Sequence, residues 1–357
     1  MRCFMAIKIG SWLFSLIYAD RVSGLERVTL EVHKSLAMLR NNDESLFGVL
    51  PNGHKVERGF PKHPELNHDF LIESKHVEAK DVDVLWLNSI NPTGFKDIYE
   101  AKKSGLRVVT PIFDLFPLQY PEFFIDEAKY LRSFQLWLTW ILRISDVLVF
   151  TSNGQLEFFK TYGFEFHGNI EVIELGASIN GPVFPSADRD KFALLAVSTI
   201  EPRKCYNEIL DAFDILCALG IPVTLDIVGR YGWKQENVRA RILEHKEFGR
   251  SLRWHQNCSD RELEGIYRRT SVSIVASVDE GWGMALEEGL RHGHKLVVRD
   301  IPIFKQRKNT NIFYFKSDES LAEKIYSVFD KSFKKLENRR TMLNFAEEVL
   351  LLMRTLK

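Results

Sequence analysis

The sequence predicts an α/β fold with two domains, each built around a mainly parallel sheet. The chain has 357 residues, which suits two domains of roughly 100–200 residues each. Its 45% hydrophobic and 27% charged residues are ordinary for a globular protein and exclude a globally disordered chain. Strand-length apolar runs alternate with helix-length amphipathic segments along nearly the whole chain, which is typical of parallel sheets covered by helices.

Eight apolar runs have the length and the Val, Ile and Leu content of buried strands. They lie at residues 13–19, 84–87, 107–112 and 147–151 in the first half, and at 192–198, 223–228, 272–276 and 296–298 in the second half. The first run also resembles part of a signal peptide. No small-residue cleavage site follows it, so a buried strand is the preferred interpretation.

The segments between these runs have apolar residues at helical spacing, which predicts amphipathic helices. The predicted helices lie at residues 27–40, 126–144, 207–219, 236–247, 260–269, 284–292, 320–329 and 342–356. The helix at 126–144 is rich in aromatic residues and has flanking cations. A core-facing helix is preferred there, and an interfacial membrane helix is the alternative.

A domain boundary is predicted near residues 179–190. Asn180-Gly181-Pro182 and Pro185 interrupt the pattern there, and a solvated charge cluster follows at 188–190. The two domains then cover residues 1–182 and 190–335. Doubly wound domains bind ligands beyond the carboxyl ends of their strands, so a cleft between two such domains is the default site.

Charge and cysteine usage exclude several classes of protein. Lys+Arg and Asp+Glu are both 48, so the chain lacks the basic excess of a nucleic-acid binder. The four cysteines form no CxxC pair and suggest neither a zinc site nor a disulfide framework, which favours a reducing compartment. No run of 18 apolar residues predicts a transmembrane helix.

The segment 197–204 carries the first candidate site. A strand ends, a proline turn follows, and a helix starts near Asn207. Arg203 and Lys204 therefore lie at a strand's carboxyl end beside a helix N-terminus, where cations and backbone N–H groups suit a diphosphate. A solvated Arg-Lys pair in a turn is the alternative.

The segment 279–289, DEGWGMALEEG, carries the second candidate site. Gly281 and Gly283 permit close backbone approach to a ligand at the start of a helix. Glu280 in the loop and Glu288 about one turn into the helix can face one crevice and accept hydrogen bonds from sugar hydroxyls. Glu287 lies about 100° around the helix from Glu288 and should point elsewhere. A glycine loop capping a helix with surface acids is the alternative.

Five segments of the second half occur in the order found in one enzyme family. They are IEPRK at 200–204, IVGRYGW at 227–233, SDREL at 259–263 with Ile266-Tyr267, EGWGM at 280–284 followed by Glu288, and RDIPIF at 299–304. They resemble the donor domain of the retaining glycosyltransferases of family four. These enzymes have the GT-B fold, in which two Rossmann-like doubly wound domains face each other across a cleft.

The first half resembles the same family through shorter segments. They are SGLERV at 23–28, IFDLFP at 112–117, YPEFF at 120–124 and EVIELGA at 171–177. The subgroup that the chain resembles is the mannosyltransferase-like branch of O-antigen and capsule synthesis. In this fold the last helix commonly crosses back to the first domain, which is the expectation for residues 336–357.

The resemblance also implies roles for individual residues. Arg203 and Lys204 would hold the donor diphosphate, Glu280 would contact the transferred sugar and assist catalysis, and Glu288 would bind the ribose. The other implied donor-binding residues are Thr199, Gly229, Gly281, Gly283 and Met284, and the implied residues on the acceptor side of the cleft are Gly24 and Asp114.

The implied reaction transfers a sugar, with mannose from GDP-mannose as the best candidate, to a saccharide or lipid-linked saccharide with retention at the anomeric carbon. No metal and no cofactor are expected. Asp81-Val82-Asp83 precedes a strand and is therefore interpreted as a turn rather than a metal-binding DxD motif. The expected location is the cytoplasm, with peripheral contact to the inner face of the membrane as a further hypothesis.

A second hypothesis is a degenerate scaffolding subunit of a polysaccharide-assembly complex. It rests on departures from the family pattern, namely Phe113 in place of a His or Tyr, Ala285 in place of a Pro, and Ser198-Thr199 in place of Gly-Arg. Two further departures are Glu287, where an apolar residue is common, and the unusually basic segment 305–308.

Overall fold

The computed structural model describes residues 7–13, 25–51, 70–74, 77, 81–177, 189–307, 309–316, 320–332 and 340–357. These residues divide into two compact units. The first unit comprises described residues up to 115 together with 128–177 and 340–357, and the second comprises 116–127 with described residues from 189 to 332. Most of the predicted boundary at 179–190 lies outside the described residues.

The described part of the first unit forms a parallel sheet of seven strands in the order β3-β2-β1-β4-β5-β6-β7. The strands are β1 (Lys8–Trp12), β2 (Ser45–Leu50), β3 (Phe70–Glu73), β4 (Val84–Trp86), β5 (Arg107–Ile112), β6 (Val147–Phe150) and β7 (Asn169–Val172). The accompanying helices are α1 (Leu25–Leu39), α2 (Phe95–Lys103), α4 (Glu127–Ile144), α5 (Asn153–Tyr162) and α12 (Met342–Thr355), whereas α3 (Phe116–Gln119) belongs to the second unit.

The first described strand is Lys8–Trp12, which the sequence did not predict. The strand predicted at residues 13–19 falls on residues that, apart from Leu13, lie outside the described part. β1 occupies a central position, with Gly10 paired to Phe47 of β2 on one side and to Leu85 of β4 on the other. A Cβ at Gly10 would approach Val82 Cγ1 to 2.8 Å, so glycine is needed for this packing. The run KIGSW is therefore a core strand with too few apolar residues to be recognised by hydrophobicity.

Helix α12 closes one face of the first unit by packing against α1. Phe345 is fully buried and meets the ring of Trp86 edge-on at 6.1 Å between centroids. At the other end of the helix, the Arg354 guanidinium donates to both carboxylate oxygens of Glu44 at 2.7 Å. Upstream of the helix, the N–H of Ala177 donates to the carbonyl of Arg340 at 3.2 Å. The terminal helix is thus tied to this unit at both ends.

The described part of the second unit forms a parallel sheet of six strands in the order β10-β9-β8-β11-β12-β13. The strands are β8 (Ala193–Val197), β9 (Thr224–Val228), β10 (Leu252–His255), β11 (Val272–Val275), β12 (Lys295–Arg299) and β13 (Ile312–Phe315). The helices are α3 (Phe116–Gln119), α6 (Tyr206–Ala218), α7 (Glu236–Leu243), α8 (Asp260–Arg269), α9 (Met284–Arg291), α10 (Pro302–Lys305) and α11 (Leu321–Val328).

The strand order of the second sheet reverses between its neighbouring strands β8 and β11. In doubly wound sheets this reversal opens a crevice at the carboxyl ends of the two strands. The loop 198–204 follows β8, and the loop 276–283 follows β11. The topology therefore places the two predicted ligand-binding loops side by side.

Candidate donor-binding site

The loop after β8 is built by close backbone packing. Gly229, at the end of β9, has φ +148°, and a Cβ there would lie 1.9 Å from the carbonyl oxygen of Ser198. Only glycine fits this approach, so Gly229 shapes the loop that leads to the cations. The Ser198 hydroxyl lies 2.9 Å from that of Tyr206, the first residue of α6. Between them, Pro202–Lys204 form a single 3₁₀ turn.

Arg203 and Lys204 converge on the carboxylate of Glu280 from the neighbouring loop. Arg203 Nη1 lies 3.0 Å from Glu280 Oε2, and the Lys204 ammonium donates to Glu280 Oε1. The hydroxyl of Ser277 donates to the same Oε1 at 2.7 Å. The three charged side chains are 11–14% exposed, so neither a solvated turn pair nor a surface acid describes them. The structure thus brings together three of the predicted catalytic residues.

The electrostatics of this cluster keep Glu280 ionised. Burial alone raises the pKa of the carboxyl, but the charges of Lys204 and Arg203 and the hydrogen bonds from Lys204 and Ser277 outweigh it and lower the pKa to about 2. An ionised Glu280 accepts hydrogen bonds only, which suits contact with sugar hydroxyls.

Two aromatic residues, for which the sequence predicted no role at the site, lie beside this cluster. The Arg203 guanidinium lies 4.4 Å from the ring centroid of Phe116. The hydroxyl of Tyr120 donates to Asp279 Oδ2 at 3.2 Å, next to Glu280. Burial, the nearby Asp279 charge and this hydrogen bond raise the pKa of Tyr120 to about 12, so its hydroxyl stays protonated. Both residues lie in the first-half segments 112–117 and 120–124 that resemble the family, more than 80 positions before the cluster, and the resemblance gave them no role at the site.

The segment that supplies these aromatic residues is held to the second unit by the loop after β9. The indole N–H of Trp233 donates to the carbonyl of Phe123 at 2.7 Å, and the Trp233 ring stacks on Phe124. The Lys234 ammonium donates to the carbonyl of Glu122 at 2.6 Å. One face of the Trp233 ring is therefore covered by the ring of Phe124.

The start of α9 depends on Gly283. Its φ is +89°, and a Cβ would meet the ring of Phe304 at 2.7 Å. Gly281, Trp282 and Gly283 are buried, and Met284 is the first helical residue. The backbone of this loop is thus held close to the core at the start of α9.

Glu288 is buried on α9 and has a partner of its own. The hydroxyl of Tyr267 donates to Glu288 Oε2 at 3.1 Å, and the Tyr267 ring stacks on His292 with centroids 4.4 Å apart. The Tyr267 hydroxyl is therefore one of the groups that orient the Glu288 carboxylate. Tyr267 belongs to one of the family motifs, but its contact with Glu288 could not be predicted from the sequence.

The remaining predicted residues are placed as follows. Thr199 is half-buried in the loop after β8. Asp114 is half-buried directly after β5 in the first unit. Gly24 lies outside the described residues. Asp83, the last residue of the DxD string, lies immediately before β4 and accepts from the backbone N–H of Lys8 at 2.8 Å.

Behind Glu288, the buried His294 makes a pH-dependent contribution to stability. Its Nε2 lies 2.7 Å from the carbonyl of Tyr267 and its Nδ1 lies 2.8 Å from Ser273 Oγ, so the ring donates to one and accepts from the other. Burial lowers the pKa of His294 from 6.5 to about 3. Below pH 6.5 the unfolded chain binds a proton at this histidine, whereas the folded ring stays neutral down to about pH 3. The free energy of unfolding is therefore unaffected by this group above pH 6.5 and falls as the pH is lowered from 6.5 toward 3.

We therefore expect His294→Gln to flatten the loss of stability between pH 6.5 and 5. Each pH unit in this window costs the wild type about 1.4 kcal/mol through one proton, whereas glutamine keeps a donor and an acceptor without titrating. Thermal melts of both proteins from pH 7.5 to 5 test this expectation, with the exposed His167→Gln as control. Parallel curves for wild type and His294→Gln would contradict it.

Comparison with solved structures identifies the fold. Over 97% of this chain and 95% of the other, the structure superposes on HepE from Anabaena, crystallised with UDP and glucose, with a TM-score of 0.66 at 14% identity. The sucrose-phosphate synthase of Thermosynechococcus elongatus matches over the same shares with a TM-score of 0.65 at 15% identity. The chain has the GT-B fold of glycosyltransferases, as its motifs predicted.

Sequence comparison gives two further findings. Residues 183–348 match the family described as "Glycosyl transferases group 1". The chain is 30% identical over 273 residues to the serotype-specific mannosyltransferase WbdA of Escherichia coli, covering 70% of this chain and 33% of that protein. The predicted resemblance to a mannosyltransferase-like GT-B glycosyltransferase is confirmed. The chain spans about a third of the length of the curated relatives first matched.

Proposed function

We propose that this protein is a retaining glycosyltransferase that moves mannose from GDP-mannose to a saccharide or lipid-linked saccharide in surface polysaccharide synthesis, such as that of an O-antigen. The mannosyltransferase relatives support the choice of sugar. The Arg203–Lys204–Glu280 cluster at the reversal point of the second sheet supports the choice of reaction and carries the proposal.

The cluster has the chemistry that transfer from a sugar diphosphate requires. The bond between the anomeric carbon and the diphosphate oxygen breaks, and the acceptor oxygen bonds to that carbon on the same face. The acceptor's proton passes to the leaving diphosphate. Negative charge on the leaving group grows in the transition state, and fixed cations such as Arg203 and Lys204 stabilise it most effectively in a site screened from water. Because these cations supply the charge, we propose that no metal or cofactor takes part.

Glu288 is proposed to bind the ribose of the nucleotide through its carboxylate, which Tyr267 orients at 3.1 Å. We expect Glu288→Ala to abolish measurable transfer, with at least a 100-fold fall in kcat/KM and an unchanged far-ultraviolet circular dichroism spectrum. Glu347→Ala makes the same substitution at an exposed glutamate and serves as the control, and this variant should transfer sugar at the wild-type rate. Full turnover by a folded Glu288→Ala protein would overturn this assignment.

The proposal is tested with a panel of sugar nucleotides containing GDP-mannose, UDP-glucose, UDP-GlcNAc, UDP-galactose and dTDP-rhamnose. Thermal stabilisation and slow donor hydrolysis are measured with and without EDTA. We expect GDP-mannose alone to stabilise the protein and to be hydrolysed at an EDTA-insensitive rate. Selectivity for another donor would correct the sugar, and EDTA sensitivity would refute metal independence. If no donor of the panel stabilises the folded protein or is hydrolysed by it, the scaffolding hypothesis would be favoured.

A lipid-linked acceptor would bring the protein to a membrane surface. Among the described residues, no helix is long and apolar enough to cross a bilayer. Helix α4 buries Phe134, Trp137 and Ile141, as predicted for a core-facing helix, while Tyr130 and Leu136 are 40% and 54% exposed. We propose that this outer face allows peripheral contact. Cosedimentation with anionic liposomes, lost on Leu136→Glu, would support such contact, and no cosedimentation of the wild type would refute it.

A further inference from the structure

Arg307 and Glu287 form a buried ion pair next to the loop 279–283, here called the donor loop. Arg307 Nε lies 2.7 Å from Glu287 Oε1, and both side chains are 6% exposed. Glu287 thus points away from Glu288 toward α10, as the helix geometry predicts. The pair joins two departures from the family pattern, an acid at a usually apolar position and a basic segment at 305–308.

The guanidinium of Arg307 contacts the donor loop directly. Its Nη2 donates to the carbonyl oxygen of Trp282, and its centre lies 3.9 Å from the centroid of the Trp282 ring. Its Nη1 donates to the carbonyl of Ile303 at 2.6 Å. One planar group therefore ties the donor loop to Glu287 on α9 and to the backbone of α10. A lysine ammonium lacks the fork geometry to reach all of these acceptors together.

Other contacts hold the two ends of the donor loop, and Arg307 binds the carbonyl of Trp282 near its centre. Arg203 Nη1 donates to the carbonyl of Asp279 at 2.6 Å at the start of the loop. Phe304 packs against Gly283 at the end of the loop. Trp282 lies between them, two residues after Glu280. A shift of the Trp282 carbonyl would therefore move both Glu280 and the first N–H groups of α9.

We propose that Arg307 is a positioning residue for sugar transfer: through Trp282 it holds the donor loop in the geometry that binds the sugar nucleotide, and Glu287 is the counter-ion that makes its burial tolerable. This inference rests on the proposed function for its effect on transfer. The physical basis for the counter-ion is that a buried guanidinium without a carboxylate is strongly destabilising, whereas replacing both partners with apolar residues is often neutral.

The decisive variant is the double replacement Glu287→Leu with Arg307→Leu. It removes both charges together and fills the space with apolar side chains, so we expect its Tm to stay within about 5 °C of the wild type. It also removes the donor to Trp282. We expect the KM for the donor to rise at least tenfold and backbone amide exchange of residues 280–285 to become at least tenfold faster. Arg307→Lys keeps a cation beside Glu287 and should show the same rise in KM with a smaller change in Tm.

The matched control is Glu264→Leu with Arg268→Leu, which removes an ion pair on the exposed face of α8 in the same unit. It should leave donor KM and exchange of the donor loop unchanged. A Glu287→Leu/Arg307→Leu protein with wild-type KM and wild-type exchange would show that the buried pair serves stability alone and would overturn the inference. If this variant does not fold, Arg307→Lys decides between the same two outcomes.

Amide exchange separates failure of this inference from failure of the proposed function because it needs no substrate. A wild-type protein that transfers no sugar from any donor refutes the proposed function. Faster exchange of residues 280–285 in the Arg307 variants would still show that Arg307 holds the loop, and unchanged exchange would show that it does not.

Discussion

Lys204→Ala is expected to abolish sugar transfer while the protein remains folded. The ammonium of Lys204 is buried against Glu280, and we propose that it stabilises the leaving diphosphate. Removing one fixed donor to developing negative charge typically lowers kcat by about 10²–10³. Arg203 remains 3.0 Å from Glu280, so the carboxylate keeps a cationic partner and the loop keeps its main constraint.

Initial rates with the donor identified from the panel test this expectation, together with thermal melts of each protein. Lys191→Ala removes a lysine whose side chain is 53% exposed and paired to Asp330, and it should transfer at the wild-type rate. If the alanine variant does not fold, Lys204→Gln, whose side chain is one bond shorter, keeps a hydrogen-bond donor toward Glu280 without the charge. Normal turnover in a folded Lys204 variant would disprove the assignment of the diphosphate site.

Removal of residues 340–357 is expected to leave the protein unfolded or insoluble. Helix α12 buries six apolar residues, Met342, Phe345, Ala346, Val349, Leu350 and Met353. At about 1.5–3 kcal/mol for each large side chain, their burial contributes on the order of 10 kcal/mol as an upper bound. This is comparable to the whole stability of a typical domain, about 5–15 kcal/mol. The truncated chain would also lose the ion pair between Arg354 and Glu44.

Point variants on the same helix refine this test. Phe345→Ala should lower the free energy of unfolding by about 3–5 kcal/mol, since a fully buried phenyl ring leaves a cavity against Trp86. Leu351→Ala, on a side chain that is 53% exposed, should change it by less than about 0.5 kcal/mol. A truncated protein that melts and transfers sugar like the full chain would contradict the structural importance of α12.

The sequence predicted an element best when the apolar pattern of that element extends over its full length. Strand 107–112 and helix 260–269 have the predicted bounds. Helix α8 also carries a full capping box, in which Ser259 and Glu262 each bond to the backbone N–H of the other. Strands such as β7 and β10 were missed because they lie at sheet edges, where most of their residues are exposed or half-buried. β1 was not predicted because Gly10 and Ser11 are core residues without apolar side chains.

Part of the candidate site was also readable from sequence. Arg203, Lys204 and Glu280 lie in two short motifs, each of which follows a recognisable strand, and parallel strands bring their carboxyl ends to one edge of a sheet. The tertiary structure decided how these charges pair. It also decided that Tyr267 orients Glu288 and that Tyr120 and Phe116 contact the cluster.

By itself, the sequence determined the type of fold, the order of most elements and the candidate residues for binding a sugar diphosphate, because these depend on local periodicity and on motifs a few residues long. The pairing of Glu287 with Arg307, the need for glycine at positions 229 and 283, and the fit of the segment KIGSW into the centre of a sheet depend on neighbours distant along the chain. Burial and charge pairing exist only after the chain has folded, so only the tertiary structure could reveal them.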